Sequence, residues 1–130
     1  MKFEFPLPDK PWSTNQDRNL NPHVRAKLIK EWKEGTGWAW KATGYRKTFC
    51  AGGKHHLCVH LEPKIVHVKI PFKDNRKRDP HNYCGTVVKA IIDGLVNVGV
   101  WPDDTPEYVG HREPDLYKGE LVVVELWPKS

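Results

Sequence analysis

The feature that most constrains this fold is an apolar helical repeat that separates two groups of acidic residues. Over residues 83–98 the spacing predicts one helix, with a buried face made by Cys84, Val88, Ile91, Leu95 and Val98. Asp79 precedes this helix, and Gly99 is placed to end it before the pair Asp103 and Asp104. The two acidic groups are too far apart to be helix neighbours. A site that uses both requires the chain to double back, because a helix of about 16 residues is roughly 24 Å long.

Asp79 and Pro80 have both a structural and a functional interpretation. Asp is a favoured helix N-cap and Pro a favoured first helical residue. Four cations nevertheless come just before Asp79, and a helix N-terminus already attracts anions. These cations are Lys73, Arg76, Lys77 and Arg78. They predict a phosphate-binding surface, because a helix cap alone does not require neighbouring cations.

Further polar residues follow on the same helix and in the turn after it. Asn82, Lys89 and Asp93 share one polar face, so Lys89 either contacts a phosphate or forms a weak pair with Asp93, worth ~0.2–0.5 kcal/mol. Asp103 and Asp104 lie in a proline-flanked turn, which tolerates Asp for ordinary hydrogen-bonding reasons. Two adjacent carboxylates also suit a hard cation such as Mg²⁺, which polarises phosphodiesters.

The remaining patterns predict one α+β domain over residues 1–130, with a small mixed β-sheet and one or two helices packed on it. Residues 1–21 suit an extended N-terminal arm or edge strand, and residues 22–40 a helix. Alternating apolar residues predict antiparallel strands at 57–61 and 66–72, and a valine-rich run predicts a closing strand at 120–126. The tryptophans, including Trp12, Trp32, Trp38 and Trp40, are assigned mostly to the core.

Charge and composition favour a soluble cytoplasmic protein with an anionic partner. The net charge is +5 and the pI about 9.1, and nucleic acid is the commonest such partner. No signal peptide, membrane span or small-molecule cofactor is expected. The three cysteines lack CxxC spacing and are interpreted as reduced, mostly buried thiols. A zinc site of His56, His60 and His67 is the weaker alternative, because strand histidines are more often surface residues.

Three motifs in order resemble the RusA-type Holliday junction resolvases, especially phage and prophage members. They cover about a quarter of the chain: Arg76-Lys77-Arg78-Asp79-Pro80-His81-Asn82, then Lys89-x-x-x-Asp93-Gly94-Leu95, then Gly99-Val100-Trp101-Pro102-Asp103-Asp104. The resemblance implies a homodimeric, Mg²⁺-dependent endonuclease that binds branched DNA and nicks four-way junctions symmetrically.

Carried over by position, Asp79 matches the first metal-binding aspartate of that family, Asp104 the distal one and Asp103 its acidic neighbour. Lys89 matches the essential lysine. His81 departs from the pattern, which has aspartate there. A neutral imidazole can still ligate a metal, and its nitrogen shifts the preference toward Mn²⁺.

This interpretation assigns a role to each group of residues. Asp79, Asp104, Asp103 and His81 would hold the metal, and Lys89 would stabilise developing charge. The DNA backbone would be contacted by Lys73, Arg76, Lys77, Arg78, Arg46 and Lys47. If the chain does not double back, the acidic pair of one subunit would complete the site of the other. The alternatives are a catalytically silent branched-DNA-binding protein and a basic interaction module whose acids are only caps and turns.

Overall fold

The computed structural model describes residues 1–44 and 62–128. In these ranges the strands are β1 (Lys2–Pro6), β2 (Lys64–Phe72), β3 (Val109–His111), β4 (Asp115–Lys118) and β5 (Leu121–Pro128). The α-helices are α1 (Thr14–Asp17), α2 (Pro22–Ala42) and α3 (Lys89–Asn97). A 3₁₀ turn, Pro80–Tyr83, and a π-helical segment, Cys84–Val88, lead directly into α3.

The strands form one mixed sheet in the order β1-β5-β2-β3, with β4 also paired to β2. Strand β5 runs antiparallel to both β1 and β2, whereas β3 and β4 run parallel to β2. The predicted α+β class with a mixed sheet is confirmed, and the N-terminal segment supplies the edge strand β1. Three helices pack on the sheet rather than one or two, because the short α1 was not foreseen.

A single apolar core joins the sheet to the helices. Alternate residues of β2 and β5 are fully buried, as the two-residue period predicted for β2: Val66, Val68, Ile70, Val122, Val124 and Leu126. The helices add the buried side chains of Trp32, Trp40, Ile91 and Leu95. Each such aliphatic side chain contributes about 1.5–3 kcal/mol by burial, so this core holds the helical stretch firmly against the sheet.

Helices α2 and α3 cross closely at a glycine. A Cβ on Gly94 would lie 2.6 Å from the carbonyl oxygen of Lys33, so only glycine allows this approach. Two residues after α3, Gly99 adopts a φ of +86°, which ends the helix as predicted.

Several sequence predictions need correction. The helical stretch begins at Pro80 and includes a π-helical turn. The extra residue of that turn rotates the buried face of the stretch, so Tyr83 and Val87 are buried and Cys84 is only half-buried.

The tryptophans also differ from one another. Trp38 is 70% exposed, unlike Trp12, Trp32 and Trp40. The predicted strand at 57–61 lies outside the described residues. No helix in the described ranges is long and apolar enough to cross a membrane.

Candidate functional site

The centre of the candidate site is a lysine held by two carboxylates. Lys89 lies at the first position of α3, and its Nζ donates to Asp93 Oδ1 at 3.1 Å, four residues along the same helix. The same Nζ also forms a short hydrogen-bonded ion pair with Asp104 Oδ2. We call these three residues the lysine bridge. It joins the polar face of the helix to the acidic turn, two features that the sequence separates.

The chain reaches this arrangement by doubling back after α3. Gly99 turns the backbone, and the Val100 amide donates to the Leu95 carbonyl at 3.0 Å. Val100 and Trp101 are then buried, and Trp101 Nε1 donates to the Glu62 carbonyl at 3.3 Å. These contacts hold the residues that precede Asp104. The chain therefore doubles back after α3, and it reaches Lys89 at the start of α3.

Asp103 has a local role in the same turn. Its Oδ1 accepts a hydrogen bond from the Asp104 amide at 2.7 Å, which fixes the backbone between the two carboxylates. The turn interpretation from the sequence is thus satisfied by Asp103, whereas the Asp104 carboxylate extends toward Lys89. The two adjacent acids have different environments.

The ion pair between Lys89 and Asp104 favours the charged form of both groups. The hydrogen bond to Asp104 is the main cause that raises the pKa of Lys89, with Asp93 adding to it. The Lys89 hydrogen bond likewise lowers the pKa of Asp104. The Lys89 side chain is 52% and the Asp104 side chain 35% exposed. A solvent-borne anion or cation can therefore reach these groups.

Asp79 lies at the start of the helical stretch and acts as its cap. Its Oδ1 accepts a hydrogen bond from the His81 amide at 3.1 Å, as the capping interpretation predicted. Burial raises the pKa of the Cys84 thiol, and the negative charges of Glu113 and Asp79 raise it further. Asp79 and Glu113 therefore both act on the Cys84 thiol, and Glu113 is a residue that the sequence analysis did not single out.

The four predicted metal ligands do not form a single cluster. In residues 1–44 and 62–128, no three His, Cys, Asp or Glu side chains come together in a group that could hold a metal. Asp104 contacts Lys89 and Asp103 precedes it in the acidic turn, whereas Asp79 and His81 lie at the 3₁₀ turn. The metal assignment of these residues stays a prediction.

A cleft of about 180 Å³ lies beside the lysine bridge, and it includes an unforeseen arginine. Arg25 of α2 donates from Nε to both carboxylate oxygens of Asp17, at 2.9 and 3.0 Å. Trp12 Nε1 donates to the same Asp17 carboxylate at 3.0 Å. Lys89 and Asp93 also line the cleft. No sequence spacing links Arg25 to Lys89, because their proximity arises only from the packing of α2 on the helical stretch.

The basic loop, residues 73–78, carries exposed cations, and one of its arginines packs inward and holds the loop in shape. Arg78 stacks on the Phe72 ring at 4.0 Å and pairs with Asp74 at 3.1 Å. Asp74 also accepts a hydrogen bond from the Arg76 amide at 2.9 Å. Lys73, Arg76 and Lys77 remain exposed. Arg78 therefore shapes the loop, and the predicted DNA contacts at Arg46 and Lys47 lie outside the described residues.

The histidines give no support to the alternative zinc site within the described part of the chain. His67 is buried rather than exposed, and its Nε2 lies 3.2 Å from an Asp115 carboxylate oxygen. His67 also packs against the Trp127 ring, at 5.2 Å between centroids. His56 and His60 lie outside the described ranges. Contacts across the sheet therefore account for His67.

The comparisons with known proteins add no relative. No family model matches the chain, and a search of curated proteins finds no match. A functional conclusion therefore has to come from the chemistry of the lysine bridge, from the basic loop and from the motif resemblance.

Proposed function

We propose that this protein is a metal-dependent endonuclease that resolves four-way DNA junctions by paired, symmetric nicks. The observation that carries the proposal is the lysine bridge, in which the reversal of the chain brings Asp104 back to Lys89 and Asp93. Acids that served only as caps and turns would not require this reversal. The motif resemblance and the basic loop support the same activity.

The acidic turn next to the lysine bridge suits a divalent cation. Lys89 Nζ already occupies the space between Asp93 Oδ1 and Asp104 Oδ2, so a metal ion would bind Asp104 through Oδ1, the oxygen that Lys89 does not contact. Carboxylate oxygens are the ligands that Mg²⁺ prefers, and Asp103, next to Asp104 in the chain, supplies another. His81, if it also takes part with Asp79, favours Mn²⁺. A bound divalent ion would polarise the phosphodiester and activate water.

Lys89 has a role that does not depend on which metal is used. Its pKa is raised, so it carries a full positive charge at neutral pH. Its half-exposed side chain can place that charge where negative charge develops on the phosphorus oxygens or the leaving oxygen. Asp93 and Asp104 hold it there before the substrate binds, which reduces the reorganisation needed during the reaction.

The basic loop and the overall charge support a nucleic-acid substrate. Lys73, Arg76 and Lys77 are exposed beside the start of the helical stretch, and the chain carries a net charge of +5. Contacts of lysine and arginine with phosphates give affinity that falls steeply with salt and carries little sequence information. A four-way junction has approximate two-fold symmetry, so a homodimer with two equivalent sites fits paired cuts.

A second candidate is a branched-DNA-binding protein without nuclease activity. The observation in its favour is that Asp79 caps the 3₁₀ turn and Asp103 fixes the acidic turn, so both have structural roles without a metal. His81 also removes one carboxylate that the family pattern supplies. This candidate predicts junction binding without cleavage in any metal.

The test is cleavage of a labelled synthetic four-way junction, with Mg²⁺ and Mn²⁺ titrated separately and binding followed by gel shift. A linear duplex of the same sequence is the matched control. Symmetric nicks in the junction and none in the duplex are expected. Tight junction binding without nicks in either metal would favour the second candidate, and His81→Asp would then test whether the missing carboxylate explains it. Absence of binding would contradict both.

A further inference from the structure

We propose that a groove between β1 and α2 is a docking site for a partner protein, and that it takes an extended segment with one lysine or arginine between apolar residues. The groove has a volume of about 560 Å³. Residues 4–8 of the N-terminal segment form one wall, and α2 residues from 31 to 42 form the other. None of these residues belongs to the lysine bridge or to the basic loop, so the proposal is independent of the proposed nuclease function.

The apolar part of the groove centres on Trp38. This side chain is 70% exposed, the largest exposure among the large hydrophobic residues of the described chain. Leu7, Pro8 and Ala39 line the groove beside it. Tryptophan is enriched among the residues that dominate binding energy at protein interfaces, and an exposed apolar patch of this kind marks an interaction site. A protein partner can bury this indole.

The charge of the groove selects the kind of partner. Three carboxylates line it, those of Glu4, Glu31 and Glu34, and a cation beside the groove is that of Lys41, whose Nζ lies over the Trp38 ring at 5.1 Å from its centroid. The chain as a whole carries a net charge of +5, so the groove is an acidic region on a basic protein. Nucleic acid is repelled by such a surface, whereas a lysine or arginine of a partner is attracted to it.

The lysines that lie near these carboxylates leave them available. Glu34 lies 4.0 Å from Lys30, and Glu4 lies 3.7 Å from Lys2, and all four side chains are well exposed. Exposed pairs of this kind contribute about 0–1 kcal/mol, so a partner cation can replace them. Glu31 forms no ion pair within the described residues. It is the carboxylate that we expect to contact the partner's cation.

The wall opposite α2 is rigid. Pro6 and Pro8 fix their own backbone angles, and Pro8 packs so closely on α2 that a Cβ on Gly35 would lie 2.6 Å from its Cγ. A groove that is fixed before binding loses little conformational freedom when a partner docks. An extended peptide fits between two such walls better than a bulky helix does.

The experiment selects random peptides displayed on phage against the full chain. Peptides with lysine or arginine flanked by aliphatic residues or proline should be enriched. The best of them is then synthesised, labelled and measured by fluorescence anisotropy. Trp38→Ser should weaken its binding by at least about tenfold, since the loss of an interface tryptophan exceeds 1.4 kcal/mol. Glu31→Lys should weaken it similarly.

Two matched variants serve as controls. Val24→Ser removes another exposed apolar side chain of α2 outside the groove, 44% exposed, and should leave binding unchanged. Glu120→Lys makes the same charge change as Glu31→Lys at an exposed position beyond the groove. Circular dichroism confirms that each variant is folded.

Three results would overturn the proposal. The first is a selection that enriches no peptide, or only peptides without a basic residue. The second is equal peptide binding by Trp38→Ser and Val24→Ser. The third is an effect of Trp38→Ser, not shared by Val24→Ser, on self-association measured by sedimentation or on junction affinity. A loss of self-association would show that a second copy occupies the groove, and a loss of junction affinity would show that nucleic acid does.

Discussion

At the scale of single residues, Lys89 is the side chain on which the proposed chemistry depends. It is held between Asp93 and Asp104 and is nevertheless about half exposed. An ion pair this exposed contributes little to stability, about 0–1 kcal/mol. The geometry is therefore better explained by a function at this position than by a requirement of the fold.

Asp74 allows a residue-scale prediction about pH. Hydrogen bonds from the Arg76 amide and the Arg78 side chain lower its pKa below the ordinary 3.8. The charged Asp74 carboxylate therefore stabilises the folded state above pH 3.8, and this stabilisation is lost as the pH falls through the lowered pKa of Asp74. We expect Asp74→Asn to be less stable than wild type at pH 7 and to approach it in acid. Urea unfolding at pH 7 and at pH 2.5 measures this, and an equal difference at both pH values would contradict it.

At the scale of elements, the crossing of α2 and α3 positions the lysine bridge. Gly94 lies one position after Asp93, and its lack of a side chain lets the Lys33 backbone approach. Gly94→Ala should lower the free energy of unfolding by about 1–3 kcal/mol, because the added methyl group meets backbone atoms that cannot move aside. Thermal or denaturant unfolding measures the change.

Gly110→Ala is the control for this substitution. Its added Cβ would have an ordinary contact at 3.7 Å with Ile65, so the overpacking cost should be absent. Equal stability of Gly94→Ala and wild type would show that the two helices do not approach as closely as described.

The basic loop gives a second prediction at this scale, because its cations have different roles. Arg78→Ala removes a cation–π contact and an ion pair and should cost about 1 kcal/mol of stability. Lys77→Ala should change stability by less than about 0.5 kcal/mol. If Lys77 contacts a phosphate, Lys77→Ala should make junction binding less sensitive to salt. The slope of the logarithm of the junction-binding constant against the logarithm of the salt concentration should decrease in magnitude by about one. An unchanged slope would exclude Lys77 from the DNA interface.

At the scale of the whole molecule, the sequence predicts the parts of the fold that have a regular period. The alternation in β2, the valine-rich run of β5, the helix of α2 and the Gly99 stop are visible in the residues themselves. Strands β3 and β4 were missed because each is short and depends on parallel pairing with the distant β2. The π-helical turn was missed because an extra residue in a helix leaves no compositional signal.

The candidate site was predictable to a similar degree. The pairing of Lys89 with Asp93 follows from helical spacing, and the need for the chain to double back follows from the separation of the acids. The proximity of Arg25 to the lysine bridge depends on the packing of α2, which no local pattern records. The metal ligands stay a prediction, because the described residues place Asp79 and Asp104 in separate surroundings.

The proposed function also predicts the assembly. The protein should sediment as a dimer of its 15.1 kDa chain, because paired cuts at a two-fold symmetric junction require two equivalent sites. Analytical ultracentrifugation with and without the junction measures this. A monomer that binds one junction alone and cuts one strand would contradict paired resolution.

The most direct test of the central claim is the single-turnover rate of junction cleavage by Asp104→Asn at saturating protein. Glu107→Gln, an exposed carboxylate in the same turn region, is the control. We predict that Asp104→Asn lowers the rate constant by at least about 100-fold while junction affinity is retained, and that Glu107→Gln cleaves like wild type. Cleavage by Asp104→Asn at the wild-type rate would contradict the claim that the lysine bridge is the catalytic centre.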